Sequence, residues 1–221
     1  MVTRKSDAKT RSDRRAILLA AGRSLFEEHG FRAVSIARIA GEAGLSTGTF
    51  YNYFSSKEAF YDSLLDQIET DGMRSAELLV SRLRSPMNKL RALYRLITLG
   101  LRRNPILRGV LLHKPAYLYP GMARRMQRSQ GLRRYLERMV ADIIREGTRK
   151  GVFRSSLYHN PSAMVNAIFD SIILHIEDEN VDELLADLAV FLQRGLRRTL
   201  RLRRRDERLD RRRFGDQAEW I

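Results

Sequence analysis

The chain has 221 residues, enough to bury a sizeable core, and 43% of them are apolar, which excludes a disordered protein. It contains no cysteine, so disulfides, thiolate metal sites and a Cys nucleophile are excluded, and a reducing compartment is expected. The formal net charge of +15 favours polyanionic partners, nucleic acid first and anionic lipid second.

Charge alone supplies affinity without selectivity, so the order of residues has to say more. No run approaches the roughly 18 apolar residues of a membrane span. The opening "MVTRKSDAKTRSDRR" has no apolar segment of the signal-peptide kind. A cytoplasmic protein with no stable membrane association is expected.

Helical spacing dominates throughout, and no strand alternation stands out. A first helix is predicted over residues 12–29, with Ile17, Leu18, Ala21 and Leu25 on one face. Gly30 follows as its C′ residue and Phe31 as the apolar contact beyond. Ser35 reads as the N-cap of a short helix ending near Ala43, with Val34 stapling onto Ile39. Gly44 supplies a turn that needs positive φ, and Ser46 caps a second short helix reaching Tyr53. The S-x-x-E order of Ser55 to Glu58 predicts a capping box that opens a longer helix into the low 80s.

Further helices are predicted from Pro86 to Asn104, over 106–113, over 122–150 with Gly151 as its cap, from Asn160-Pro161 to Glu177, and from Asp182 to about Arg203. The expected fold is therefore all-α with about nine helices, three short ones in front and about six behind.

Two short helices joined by a tight Gly-containing turn after a supporting helix describe a helix-turn-helix. Ile36, Ile39, Ala40, Ala43, Leu45 and Phe50 would form its bracket, with Phe54 also in the core. A buried Thr, Tyr or Asn without partners would cost ~1–3 kcal/mol. Thr47, Gly48, Thr49, Tyr51, Asn52 and Tyr53 are therefore expected to face outward. A helix N-terminus favours phosphate and carries the residues that reach base edges in the major groove. Thr methyls, hydroxyls and the Asn amide suit base edges, while Tyr hydroxyls and Lys57 suit phosphates.

Residues 14–65, "RRAILLAAGRSLFEEHGFRAVSIARIAGEAGLSTGTFYNYFSSKEAFYDSLL", resemble the N-terminal domain of TetR-family transcriptional regulators. The likeness spans the IL-x-AA-x-x-LF-x-x-x-GF, IA-x-x-AG-x-S and G-x-x-Y-x-YF-x-x-K phrases. It departs from the family at Phe60, where Leu is common. The resemblance implies groove-facing roles for Thr47, Gly48, Thr49, Tyr51 and Asn52, and phosphate roles for Ser35, Tyr53 and Lys57, with Ser46 beside them at the helix start. It also implies three regions: a DNA-binding domain with a basic arm over 1–57, a helical effector-binding and dimerisation domain over 58–203, and an Arg-rich tail over 204–221.

The same resemblance implies a homodimer through the last two long helices, with Ile168, Ile172, Ile173, Leu188, Phe191 and Leu192 suited to the interface. A small-molecule effector of unknown identity is implied among the middle helices. Its expected lining is Tyr94, Ile97, Leu101, His113, Tyr117, Met122, Met126, Met139 and Phe169, since Met adapts its shape and Tyr and His offer polar handles. Family members commonly sense hydrophobic molecules, and "EGTRKGVFR" is similar to members that sense fatty acyl-CoA. The implied function is a ligand-released repressor of a pseudo-palindromic double-stranded DNA operator. An architectural protein binding DNA by charge, without an effector, is the alternative.

Residues 194–213 hold 11 arginines against 3 acidic residues. That run is either a solvated helix end or added affinity for polyanions, and the acids Glu177, Asp178, Glu179, Asp182 and Glu183 could pair with it. His29, His113, His159 and His175 stand far apart, and no HExxH, nucleophile elbow or P-loop occurs. Neither a catalytic nor a metal site is expected, and no enzyme.

Overall fold

A computed structural model describes residues 3–128, 131–154, 158–177 and 179–196, with side chains described from residue 12 onward except at 126–128. Ten α-helices and one 3-10 turn make up the described elements. In chain order they are α1 Thr3–Ala33, α2 Ile36–Glu42, α3 Thr47–Tyr51, α4 Lys57–Ser81, α5 Pro86–Arg103 and α6 Pro105–Leu111. The 3-10 turn Pro115–Tyr117 follows, then α7 Met122–Arg128, α8 Gly131–Arg149, α9 Pro161–Leu174 and α10 Val181–Leu196. Among the described residues no helix is long and apolar enough to cross a membrane.

Local chemistry sets most boundaries. Three helices begin at proline behind a capping side chain: Ser85 accepts from the Asn88 amide, Asn104 from Leu107 and Asn160 from Ala163. Gly30 breaks α1 with φ 73 and ψ 172, a region open essentially to glycine, and a Cβ there would lie 2.6 Å from the Ala116 carbonyl oxygen. Gly44 ends α2 at φ 64, where its amide reaches the Gly41 carbonyl and the Leu45 amide that of Ala40. That is a Schellman turn.

Three boundaries differ from the sequence reading. The first helix begins at Thr3 rather than residue 12, because the basic opening contains neither Gly nor Pro to stop it. The cap of α4 is Ser56, not Ser55: its hydroxyl accepts from the Ala59 amide at 3.1 Å, so Glu58 falls one place short of closing a capping box. The helix expected over 122–150 is described as two, α7 and α8, the second opening at Gly131. The tail 204–221 and the end of the last predicted helix, beyond Leu196, lie outside the described residues.

Two apolar clusters organise the molecule. The front cluster gathers Leu18, Leu25 and Phe26 of α1, Ile39 and Ala40 of α2, Phe50 of α3 and Phe60 to Ile68 of α4. Phe60 packs 5.3 Å from Phe50 and 4.7 Å from Phe54, ring centre to ring centre, so the departure from Leu at this position sits inside an aromatic core. The front cluster does not stop at Lys57. It takes in Ile106 and Val110 of α6 and Met122 of α7. The rear cluster joins α5, α8, α9 and α10 through Leu90, Leu93, Ile143, Phe169, Leu188 and Leu192.

Ion pairs tie the layers together. Arg125 of α7 reaches Asp62, Asp66 and Glu69 along one face of α4 at 2.9, 2.7 and 3.2 Å. The Tyr119 hydroxyl donates to the same Asp62 at 2.7 Å. Lys89 of α5 pairs with Glu146 of α8 at 2.6 Å. Glu177 and Asp182 are held by Arg108, Lys114 and Arg102, not by the described end of the arginine run.

Candidate nucleic-acid interface and effector residues

The turn between α2 and α3 is built from the inside. Val34, Ile39, Ala40, Phe50 and Phe54 are buried, with Ile36, Ala43 and Leu45 packed against them. Ser35 caps α2 by accepting from the Arg38 amide at 3.2 Å. Ser46 caps α3 by accepting from the Thr49 amide at 3.1 Å, and its oxygen lies 3.0 Å from the Thr49 hydroxyl. Ser46 thus forms the cap read from the sequence, and the Thr49 hydroxyl is tied to it.

The outward group is Thr47, Gly48, Tyr51 and Asn52, all exposed. Tyr51 is 56% exposed, its ring held edge-on at 5.7 Å by the buried Phe50. At Gly48 a Cβ would meet only the Ser46 hydroxyl, at 3.7 Å. Packing inside the chain does not demand glycine there; its effect is to leave the surface beside Thr47 open to close approach. Tyr53 is half-buried against the front cluster.

Lys57 differs from the expected free phosphate contact. Its ammonium donates to the Phe31 and Val34 carbonyls, both at 2.9 Å, and lies 4.2 Å from the Phe31 ring centre. Burial lowers its pKa, with the neighbouring Glu58 opposing. The lysine closes the end of α1 onto the start of α4, leaving one N–H for another acceptor.

This arrangement has counterparts. The family profile described as "Bacterial regulatory proteins, tetR family" matches residues 18–64, the segment that runs from the second half of α1 through α2 and α3 into the first two turns of α4. Over those residues the chain carries a DNA-binding domain of the TetR family. It is a transcriptional regulator with a DNA-binding helix-turn-helix and a helical second part. The HTH-type transcriptional repressor KstR2 of Mycobacterium tuberculosis H37Rv is 27% identical over 153 residues, covering 66% of this chain and 72% of that protein. A Saccharomonospora viridis transcriptional regulator in complex with choline shares the fold at TM-score 0.70 and 20% identity, over 85% of this chain and all of that one. FadR of Bacillus subtilis in complex with stearoyl-CoA shares it at TM-score 0.63 and 16% identity, over 81% and 98%.

Behind this TetR-type domain the predicted effector residues do not gather at one place. Tyr94, Leu101 and Phe169 are buried together in the rear cluster, with Ile97 and Met139 packed against it. Tyr117 and Met122 instead serve the front cluster, and Tyr117 donates to the Glu27 carbonyl at 3.4 Å. His113 is exposed at φ 54 and ends α6: its amide reaches the Val110 carbonyl and the Lys114 amide that of Gly109. That is again a Schellman turn, with His where Gly is usual. The Met126 side chain lies outside the described residues.

An open groove of about 580 Å³ runs between α4, α5 and α8, edged by Lys89, Arg138 and Arg149 as well as Asp142 and Glu146. Of the predicted lining only Met139 reaches it. Among the described residues no group of three His, Asp or Glu could hold a metal ion.

The sequence reading missed the Arg125 tie. Asp62, Asp66 and Glu69 visibly share a helix face by their spacing, but a partner 56 to 63 positions away has no local signature.

Proposed function

We propose that the chain is a cytoplasmic, ligand-released repressor that binds a pseudo-palindromic DNA site as a homodimer. The observation that carries this reading is the outward face of α3, where Thr47, Gly48, Tyr51 and Asn52 stand exposed over an apolar bracket centred on the buried Ile39, Ala40 and Phe50. Polar groups held rigidly but without use inside the fold suit base edges and phosphates. Ser35, Tyr53 and the remaining N–H of Lys57 complete the phosphate contacts in this reading.

An apolar or acyl-CoA-like effector enters among α4, α5, α8 and α9; the stearoyl-CoA named for FadR supports that ligand class, and the choline named for the Saccharomonospora viridis regulator supports only a small-molecule effector in general. Tyr94 is its polar handle, buried beside Phe169 with a hydroxyl that makes no hydrogen bond. Effector binding moves α4, which belongs to both clusters. A coupling of ~1–3 kcal/mol would weaken operator binding about 5–150-fold.

Selection of genomic fragments bound by the protein, followed by footprinting, tests this reading. A two-fold symmetric protected site, lost in Tyr51→Ala/Asn52→Ala with an unchanged circular-dichroism spectrum, is expected. Protection without symmetry or sequence preference would replace the reading with that of an architectural DNA-binding protein.

A further inference from the structure

Several arginines of the fold end on carboxylates: Arg23 on Glu27, Arg102 on Asp182, Arg108 on Glu177 and Arg133 on Asp170. Arg38, exposed on α2, is held differently. Its Nη2 donates to Nε2 of the half-buried His29, near the end of α1, at 2.7 Å. Among the described residues Arg38 forms no ion pair with a carboxylate, although Glu28 lies 3.4 Å from the same ring nitrogen.

A guanidinium carries donors only, so Nε2 is the acceptor and the ring proton sits on Nδ1. The imidazole is therefore neutral in this pairing. An arginine on a carboxylate has its charge cancelled, whereas one on a neutral ring keeps it. The bond also uses only one of five N–H groups, leaving four for another acceptor.

The surroundings say which acceptor. The Arg38 amide donates to the Ser35 hydroxyl at 3.2 Å, and the Lys57 ammonium donates to the carbonyl of the adjoining Val34 at 2.9 Å. Arg38 thus shares one corner of the domain with two groups read as phosphate contacts. In a helix-turn-helix the second helix enters the major groove while the first, here α2, crosses the nucleic-acid backbone.

We propose that Arg38 is a further DNA phosphate contact and that His29 is the residue that positions it. The inference rests on the DNA-binding reading of α3. Ordering a long side chain on binding costs affinity, and the His29 tether restricts this guanidinium before DNA arrives. A phosphate contact of this kind holds register but carries no base sequence.

The test is the salt dependence of binding to a duplex selected by the full-length protein. Arg38→Gln should reduce the slope of log K against log salt by about 0.9, one phosphate's worth, and weaken binding to selected and bulk DNA alike. His29→Leu should lower affinity roughly 2–10-fold. His29→Gln, whose amide oxygen can take the place of Nε2, should restore it. An unchanged slope in Arg38→Gln, folded by circular dichroism, overturns the phosphate contact, and so does a loss confined to the selected duplex. Equal affinities of His29→Leu and His29→Gln overturn the positioning role. Failure of the α3 reading shows separately, as Tyr51→Ala/Asn52→Ala binding the selected duplex as well as the original protein does.

Discussion

Tyr94 is only 4% exposed, its ring centre lies 4.3 Å from that of Phe169 in a tilted contact, and its hydroxyl makes no hydrogen bond. Burial and the nearby Asp170 carboxylate push the phenol far above its ordinary pKa, so it stays protonated and able to donate. An unsatisfied buried hydroxyl costs ~1–3 kcal/mol. Tyr94→Phe should therefore raise the melting temperature of the ligand-free protein, by an amount corresponding to ~1 kcal/mol, while weakening release from DNA by acyl-CoA. A lower melting temperature in differential scanning calorimetry would show that the hydroxyl is supported in the folded chain. His113 gives the opposite lesson. Its residue type suggests a ligand handle, yet its left-handed backbone and exposed side chain make it a helix terminator.

At the scale of elements, the α5–α8 pairing is tied by Glu146, which accepts from Lys89 and from Lys150, each at 2.6 Å. Those hydrogen bonds hold its pKa below the ordinary 4.5. The folded chain therefore binds this proton more weakly than the unfolded chain. The resulting stabilisation is complete above about pH 4.5 and disappears as pH falls through the depressed value. Glu146→Gln should show a lower urea midpoint than the original protein at pH 6, with the gap closing towards pH 3. A gap constant with pH would mean that the carboxylate charge contributes nothing. The Arg125 ion pairs also join distant elements, fixing α7 to one face of α4, the helix that follows α3.

At the scale of the whole molecule, α9 and α10 leave apolar surface uncovered: Met164, Leu174, Val190 and Phe191 are all exposed, Leu174 by 71%. Of the residues suited to the dimer interface, some had also to face the subunit's own core: Ile172, Leu188 and Leu192 are buried in the rear cluster, and Ile168 and Ile173 are half-buried. The proposed dimer then rests on the outer set with Phe191 as anchor. Phe191→Glu should weaken association by ~2 kcal/mol or more, about thirtyfold, and yield the monomer mass in light scattering at low micromolar concentration. A persistent dimer mass would move the interface elsewhere.

Much of this protein is fixed locally and so is readable from the residues in order. Caps at Ser35, Ser46 and Asn160 and the turns at Gly44 and Gly151 depend on contacts within a few positions, and helical spacing over residues 35–54 separates the bracket from the outward face. What required the tertiary structure were relations across distance. Helical spacing shows that Tyr94, Tyr117 and Met122 each have an apolar side, but not that the first packs in the rear cluster and the other two in the front. Lys57 shows the same limit. Its charge is plain in the sequence, while its attachment to two carbonyls 26 and 23 positions earlier exists only once α1 and α4 have met.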